Sequence, residues 1–176
     1  MLIRNKFMEH VVTAVPMVAA KALPWVPSPV TQFTLEQLLN RFFKQELATG
    51  ALNFMKQHWI EIQVRELPMS CYISLQLLQG QPRLQVRTCP QQANLKAELT
   101  LAGDWEDLLL MMTQHVDPDT LFFRRKLTLR GDTELGLELK NFLDTIELKT
   151  HLPVPLHHWS MAMAGVVSDR QASRPS

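Results

Sequence analysis

A chain of 176 residues with 46% hydrophobic and 20% charged residues can build one globular domain with a tail at each end. Its net charge of +1 leaves no footprint for nucleic acid or for a strongly acidic partner, so nucleic-acid binding is set aside. Its two cysteines, Cys71 and Cys89, make neither a CxxC pair nor a zinc pattern and read as reduced thiols of a cytoplasmic protein.

Residues 1–30 form the first unit, an apolar helix with a Pro-rich exit. Val11 to Ala20 carries no charge and follows Arg4 and Lys6, as in a signal peptide. Glu9 precedes the run, Lys21 closes it and Pro16 divides it, and it falls short of the roughly 20 apolar residues that span a bilayer. Val11, Val12, Val15, Val18, Ala19 and Ala22 share one helical face, which either packs on the body or touches the inner membrane peripherally. Pro24, Pro27 and Pro29 stiffen the link that follows.

Residues 31–148 form the second unit. Pro29 suits the first turn of a helix on which Leu35, Leu38, Leu39, Phe42, Phe43 and Leu47 line one side, and Gly50 is its stop. The period then changes to two. Ile60, Ile62 and Val64 alternate with polar residues, as do Cys71, Ile73, Leu75 and Leu77, then Leu84 and Val86, then Leu95, Ala97, Leu99 and Leu101, then Leu127 and Leu129. Five one-faced strands predict an α+β domain. Its mostly antiparallel sheet is covered on one face by helices, and the other face meets water. Only the link from Leu101 to Lys126 is long enough for a crossover. It holds a helix that Asp104 can cap, with Trp105, Leu108, Leu109 and Met112 on one side, while Leu110 and Met111 widen the apolar arc. After Asp117-Pro118 comes the apolar turn Leu121-Phe122-Phe123. Gly131 ends the last strand, and Asp132 or Thr133 caps a helix with Leu135, Leu139, Phe142, Leu143 and Ile146 on one face. Residues 149–176 are expected to be a C-terminal helix and a polar tail from Ser168.

Site chemistry is sparse. No GxGxxG, P-loop, HExxH or nucleophile elbow occurs. His151, His157 and His158 cluster without an acid or cysteine at ligand spacing, so no metal is assigned. Asp117, Asp119, Asp132 and Glu134 read as turn and cap residues. Arg124-Arg125-Lys126 reads as a solvated face, with a lipid phosphate contact as the alternative. The expectation is no catalytic residue and no cofactor. A small lipid-modifying enzyme using His58 or His115 is the rival from another class. The positive signal is an excess of apolar residues on the helices that must cover the sheet. They fill a core, or the layers stand apart and hold a lipid. The residues that would line such a site are Leu39, Phe42, Phe43, Ile62, Leu75, Leu99, Leu108, Leu109, Met112, Leu121, Phe122, Leu139, Phe142 and Leu143.

Three segments resemble a known family. They are Asp117-Pro118-Asp119-Thr120-Leu121-Phe122-Phe123, Leu129-Arg130-Gly131-Asp132-Thr133-Glu134-Leu135-Gly136-Leu137, and the upstream helix Leu35-Glu36-Gln37-Leu38-Leu39. The stretch from residue 35 to 145 resembles the sterol carrier protein type two domain, in the form of the UbiT family of ubiquinone biosynthesis accessory factors. The resemblance implies a non-catalytic domain that houses lipid between its layers. It implies presentation of an octaprenyl-type quinone precursor, or binding of a phospholipid, in an oxygen-independent route. Hydroxylating partners of the UbiU and UbiV type are implied to carry the chemistry and the iron–sulfur clusters. A scaffold with a filled core remains the alternative.

Overall fold

The alternating stretches form five strands, β1 (Ile60–Val64), β2 (Met69–Leu78), β3 (Gln81–Pro90), β4 (Leu99–Gly103) and β5 (Leu127–Gly131). The structure is a computed structural model and describes residues 14, 16–22, 25–91, 95–145, 165 and 167. Val11, Val12, Val15, Ile146, His151, His157, His158 and the tail from Ser168 lie outside the described residues. The sheet order is β3-β2-β1-β4-β5. All neighbours are antiparallel except β1 and β4, which are parallel. The sheet is therefore mixed but mostly antiparallel. Gln79 and Gly80, both left-handed (φ 52 and 78), make the tight turn between β2 and β3.

The crossover lies elsewhere than the chain's spacing suggests. β4 and β5 are antiparallel neighbours, so the helices between Leu101 and Lys126 lie on a return path. The parallel relation arises between Pro90 and Leu99, where the chain passes back across β2 and β1. β1 is only 5 residues long, so a short link suffices. It is pinned at both ends: the Gln91 N–H donates to Pro68 O (3.0 Å) and the Glu98 N–H to Trp59 O (3.0 Å). β4 accordingly starts at Leu99, and Leu95 and Ala97 are not strand residues.

Register places Ile60, Ile62, Ile73, Leu75, Leu84, Val86, Leu99, Leu101 and Leu129 on one face. The core forms here. Ile60, Leu75, Leu84, Leu99 and Leu127 meet Leu47, Leu52, Met55, Leu108, Leu121, Leu135 and Leu139 from the covering segments. The other face carries a polar row, in which the Tyr72 hydroxyl donates to Glu61 Oε1 (3.1 Å) and the Thr100 hydroxyl to Glu61 Oε2 (2.9 Å). The expectation of a wet outer face holds only in part. Ser70, Tyr72, Ser74 and Ala102 are buried on it, so its centre is closed over.

The helices are α1 (16–22), α2 (Ser28–Phe42), α3 (Lys44–Thr49), α4 (Trp105–Met112), α5 (Pro118–Phe123) and α6 (Thr133–Thr145), with a 3-10 turn at Asn53–Met55. Gly165 and Val167, near the C-terminus, are also helical. Of the leading face, Val18 and Ala22 are exposed and Ala19 is half-buried. Asp117 caps α5, accepting from the Thr120 N–H (3.0 Å), and Asp132 caps α6, accepting from the Leu135 N–H (2.9 Å). Asp104 stands at the cap of α4 but its carboxylate binds Arg65 instead (2.8 Å). The Trp105 N–H is met by Glu66 (3.0 Å) from the adjacent β1–β2 turn. Gly131 has φ +123, and a Cβ there would strike Glu98 O, so only glycine lets β5 turn into α6.

The expected first helix breaks at Phe43 into α2 and α3, and α2 has no buried residue. It lies along the free edge of β3. Asn40 accepts from the Leu84 N–H (2.9 Å) and donates to Leu84 O (2.7 Å); Glu36 accepts from the Val86 N–H (3.3 Å); Gln32 donates to Thr88 O (3.4 Å). Four helical residues rise about 6 Å and two strand residues about 6.8 Å, so the two spacings run in step. Pro82 and Pro90, at the ends of the same strand, have no N–H to satisfy. The edge that could template aggregation is thus closed with polar side chains.

Candidate functional site

The inner sheet face is not uniformly sealed. Ile60, Leu75, Leu84, Leu99 and Leu127 are almost fully buried. Ile62, Val64, Ile73 and Leu129 on the same face are only half-buried. The helices facing them show the same feature: Leu39, Phe43, Phe54, Val116, Phe122, Phe142 and Leu143 rest against the core and keep accessible surface. Four aromatic rings give this wall a shape. Phe42 and Phe43 meet edge to face at 5.1 Å between centroids, and Phe142 bridges Phe43 and Phe54 at 5.9 Å each. No strand position on this face carries an ionised side chain. The arrangement suits an apolar molecule.

The expected lining residues fall into three groups. Leu39, Phe43, Ile62, Phe122, Phe142 and Leu143 come together in this half-buried wall, and Phe42 joins through its ring contact with Phe43. Leu75, Leu99, Leu108, Leu121 and Leu139 belong to the buried core cluster beneath it. Leu109 and Met112 belong to neither: Leu109 is buried outside the core cluster and Met112 is 46% exposed. Asp107, Leu108, Leu109, Leu110 and Met111 are all buried, so α4 is covered on nearly every side. Its wide apolar arc reflects that burial. Five members of the wall are missing from the lining expected of the sequence. Val64, Ile73 and Leu129 follow from strand alternation, whereas Phe54 and Val116 lie on a short turn and a loop with no periodic signal.

Burial pushes the Cys71 thiol up from 9.0 to about 12. Cys71 stands in register with Thr88 and Cys89 with Ser70, so the two thiols point to opposite faces and both are free. On the outer face Tyr72 is raised to about 12, by burial and then by its bond to Glu61. His58 is exposed, and the half-buried His115 ring lies 3.1 Å from Thr113 Oγ1. Among the described residues no group of three His, Cys, Asp or Glu side chains could hold a metal ion. Asp119 binds Lys140 across α5 and α6 (2.6 Å) as part of the surface. No described helix is long and apolar enough to cross a membrane.

Comparisons with known proteins agree with this fold. The model of the SCP-2 sterol transfer family matches residues 35–144. A ubiquinone biosynthesis accessory factor, UbiT of Escherichia coli K12, is 32% identical over 171 residues, covering 97% of this chain and 92% of that one. Among solved structures, a UbiJ-SCP2 ubiquinone synthesis protein superposes with a TM-score of 0.50 at 19% identity. It covers 68% of this chain and 93% of its own, which shows a shared fold. The chain therefore belongs to the SCP-2 sterol transfer family and, within it, to the UbiT family of ubiquinone biosynthesis accessory factors.

Proposed function

We propose that this protein is a non-catalytic carrier that holds a prenylated ubiquinone precursor against its inner sheet face and presents the ring to partner enzymes. The observation that carries the reading is the half-buried wall of Ile62, Val64, Ile73, Phe43, Phe54, Phe142 and Leu143, apolar throughout and resting on the buried core cluster. A prenyl tail gains about 0.8 kcal/mol for each CH₂ removed from water, so a long tail does not leave a membrane without such a surface. In this reading the protein holds the ligand and others do the chemistry. Partners of the UbiU and UbiV type, hydroxylating the ring without oxygen, are the enzymes this reading requires. A phospholipid is the second ligand the wall would take, since its acyl chains present the same chemistry.

Solvent extraction of the purified protein followed by lipid mass spectrometry tests the carrier directly. A polyprenyl quinone precursor or a phospholipid should be recovered in near-stoichiometric amount. Recovery of no lipid from a folded, freshly purified protein favours a scaffold with a filled core. Deleting the gene should lower ubiquinone in cells grown without oxygen and spare it in aerated cells. If instead the His58→Ala or His115→Ala protein, still folded, stops quinone synthesis, an enzyme reading replaces this one.

A further inference from the structure

The end of α5 combines features that packing does not require. The helix closes with paired reverse bonds: the Lys126 N–H donates to Leu121 O (2.9 Å) and the Arg125 N–H to Phe122 O (3.0 Å). This closure puts Arg125 in the left-handed region, φ 56. Glycine is the residue that position favours, and the chain uses it at the end of α3, where Gly50 has φ 77. Other non-glycine residues with positive φ among those described are glutamines; Arg125 is the charged one.

The turn also displays what it carries. Phe123 is 90% exposed, while its neighbour Phe122 rests in the half-buried wall. Arg124 and Arg125 are exposed, and among the described residues neither makes an ion pair. Two acids near the turn are already matched. Asp107 faces Lys126 (3.7 Å), and Asp104 binds Arg65 (2.8 Å), whose guanidinium also reaches Lys126 O (3.4 Å). An exposed aromatic ring and two unmatched cations therefore sit one to three residues along the chain from Phe122 in the wall.

We propose that the α5–β5 turn is a membrane-docking point. Phe123 enters the boundary between headgroups and acyl chains of an anionic bilayer, and Arg124 and Arg125 take lipid phosphates. Rings of this kind favour that boundary, and basic residues beside them are drawn to anionic lipid. A protein partner fits less well. A stable protein interface needs about 800 Å² a side, and one phenylalanine offers about 200 Å². The docking rests on the carrier reading, because it places the wall where a lipid would enter or leave.

Co-sedimentation of the full chain with vesicles tests it. Vesicles of phosphatidylethanolamine with phosphatidylglycerol are compared with vesicles of phosphatidylcholine alone. Wild-type protein should favour the anionic vesicles. R124Q and R125Q should each lower that partition about fivefold, and the double variant should return it to the neutral level. F123S should lower binding to both kinds. R125G is the sharpest variant: it should bind anionic vesicles less yet unfold at higher urea, because glycine relieves the left-handed backbone. A residue kept only for structure would not separate the two readouts. If these variants keep the wild-type circular dichroism spectrum and sediment as wild type does, the proposal is overturned. Lipid extraction from the same preparations separates this result from the carrier reading. Retained lipid without turn-dependent sedimentation removes the docking alone. Turn-dependent sedimentation of a protein that never yields lipid supports docking and removes the carrier.

Discussion

Replacing Phe142 by alanine probes whether the inner wall is a binding surface or core. A fully packed phenylalanine costs about 3–5 kcal/mol when cut to alanine. Phe142 is half-buried, so its transfer contribution is about half of that. Its tilted contacts with Phe43 and Phe54, both at 5.9 Å, add about 0.5 kcal/mol between them, the low end for aromatic pairs. The lipid-free variant should therefore lose about 2–3 kcal/mol in urea unfolding followed by circular dichroism. Its effect on ligand should be larger in proportion. An alkyl chain lying on the ring hides about 50 Å², worth about 1.3 kcal/mol, or close to tenfold in affinity. Displacement of a fluorescent acyl probe reads that change. Leu99→Ala is the control, since Leu99 is 1% exposed in the core beneath. It should cost about 2–5 kcal/mol while leaving the probe affinity of the folded fraction unchanged. A loss of about 4 kcal/mol or more at Phe142 with unaltered probe affinity refutes the reasoning, because the ring would then be plugging a filled core.

Asn40→Ala should cost about 2 kcal/mol, since it leaves both the N–H and the C=O of Leu84 without their partner, and it should raise the aggregation rate by opening the β3 edge; light scattering on heating reads the second effect. The Cys71 thiol titrates at 9.0 when unfolded and at about 12 when folded, so the folded state holds that proton longer. Its contribution is fully present below pH 9.0 and declines as pH rises towards 12; Cys71→Ala should flatten that alkaline decline in urea titrations, and native Cys71 should resist alkylation at pH 8, roughly, until the protein unfolds. The carboxyl of Asp144, an exposed residue, is raised by partial desolvation and then by Asp119 and Asp117, with Lys140 opposing. Its charged form is thus disfavoured in the fold, so Asp144→Asn should be the more stable protein at neutral pH, with the gap closing as pH falls through the Asp144 pKa; equal urea midpoints at neutral pH would count against that origin of the shift.

Local chemistry makes much of this protein legible in its residue order alone. Alternation over Ile60–Val64, Cys71–Leu77 and Leu84–Val86 marks strands because a pleated chain turns every second side chain to one face, wherever the strand sits in the sheet. Asp117-Pro118 and Gly131-Asp132 mark helix starts and a corner because capping and left-handed backbone are settled within a few residues. Family membership rests on those same local motifs. What the sequence does not decide are relations between segments far apart along it. That β4 runs parallel to β1 depends on the path from Pro90 to Leu99, which alternation does not encode. Gln32, Glu36 and Asn40 read as an ordinary polar helix face until β3 lies beside them with its bare edge. The wide apolar arc of α4 reads as a wall and is explained by burial on nearly all sides, whereas the half-buried wall is assembled from Phe43, Phe54, Val116 and Phe142, on separate segments. Side-chain character is a property of the residue, but how much of each side chain stays accessible is set by what packs against it, and that only tertiary structure supplies.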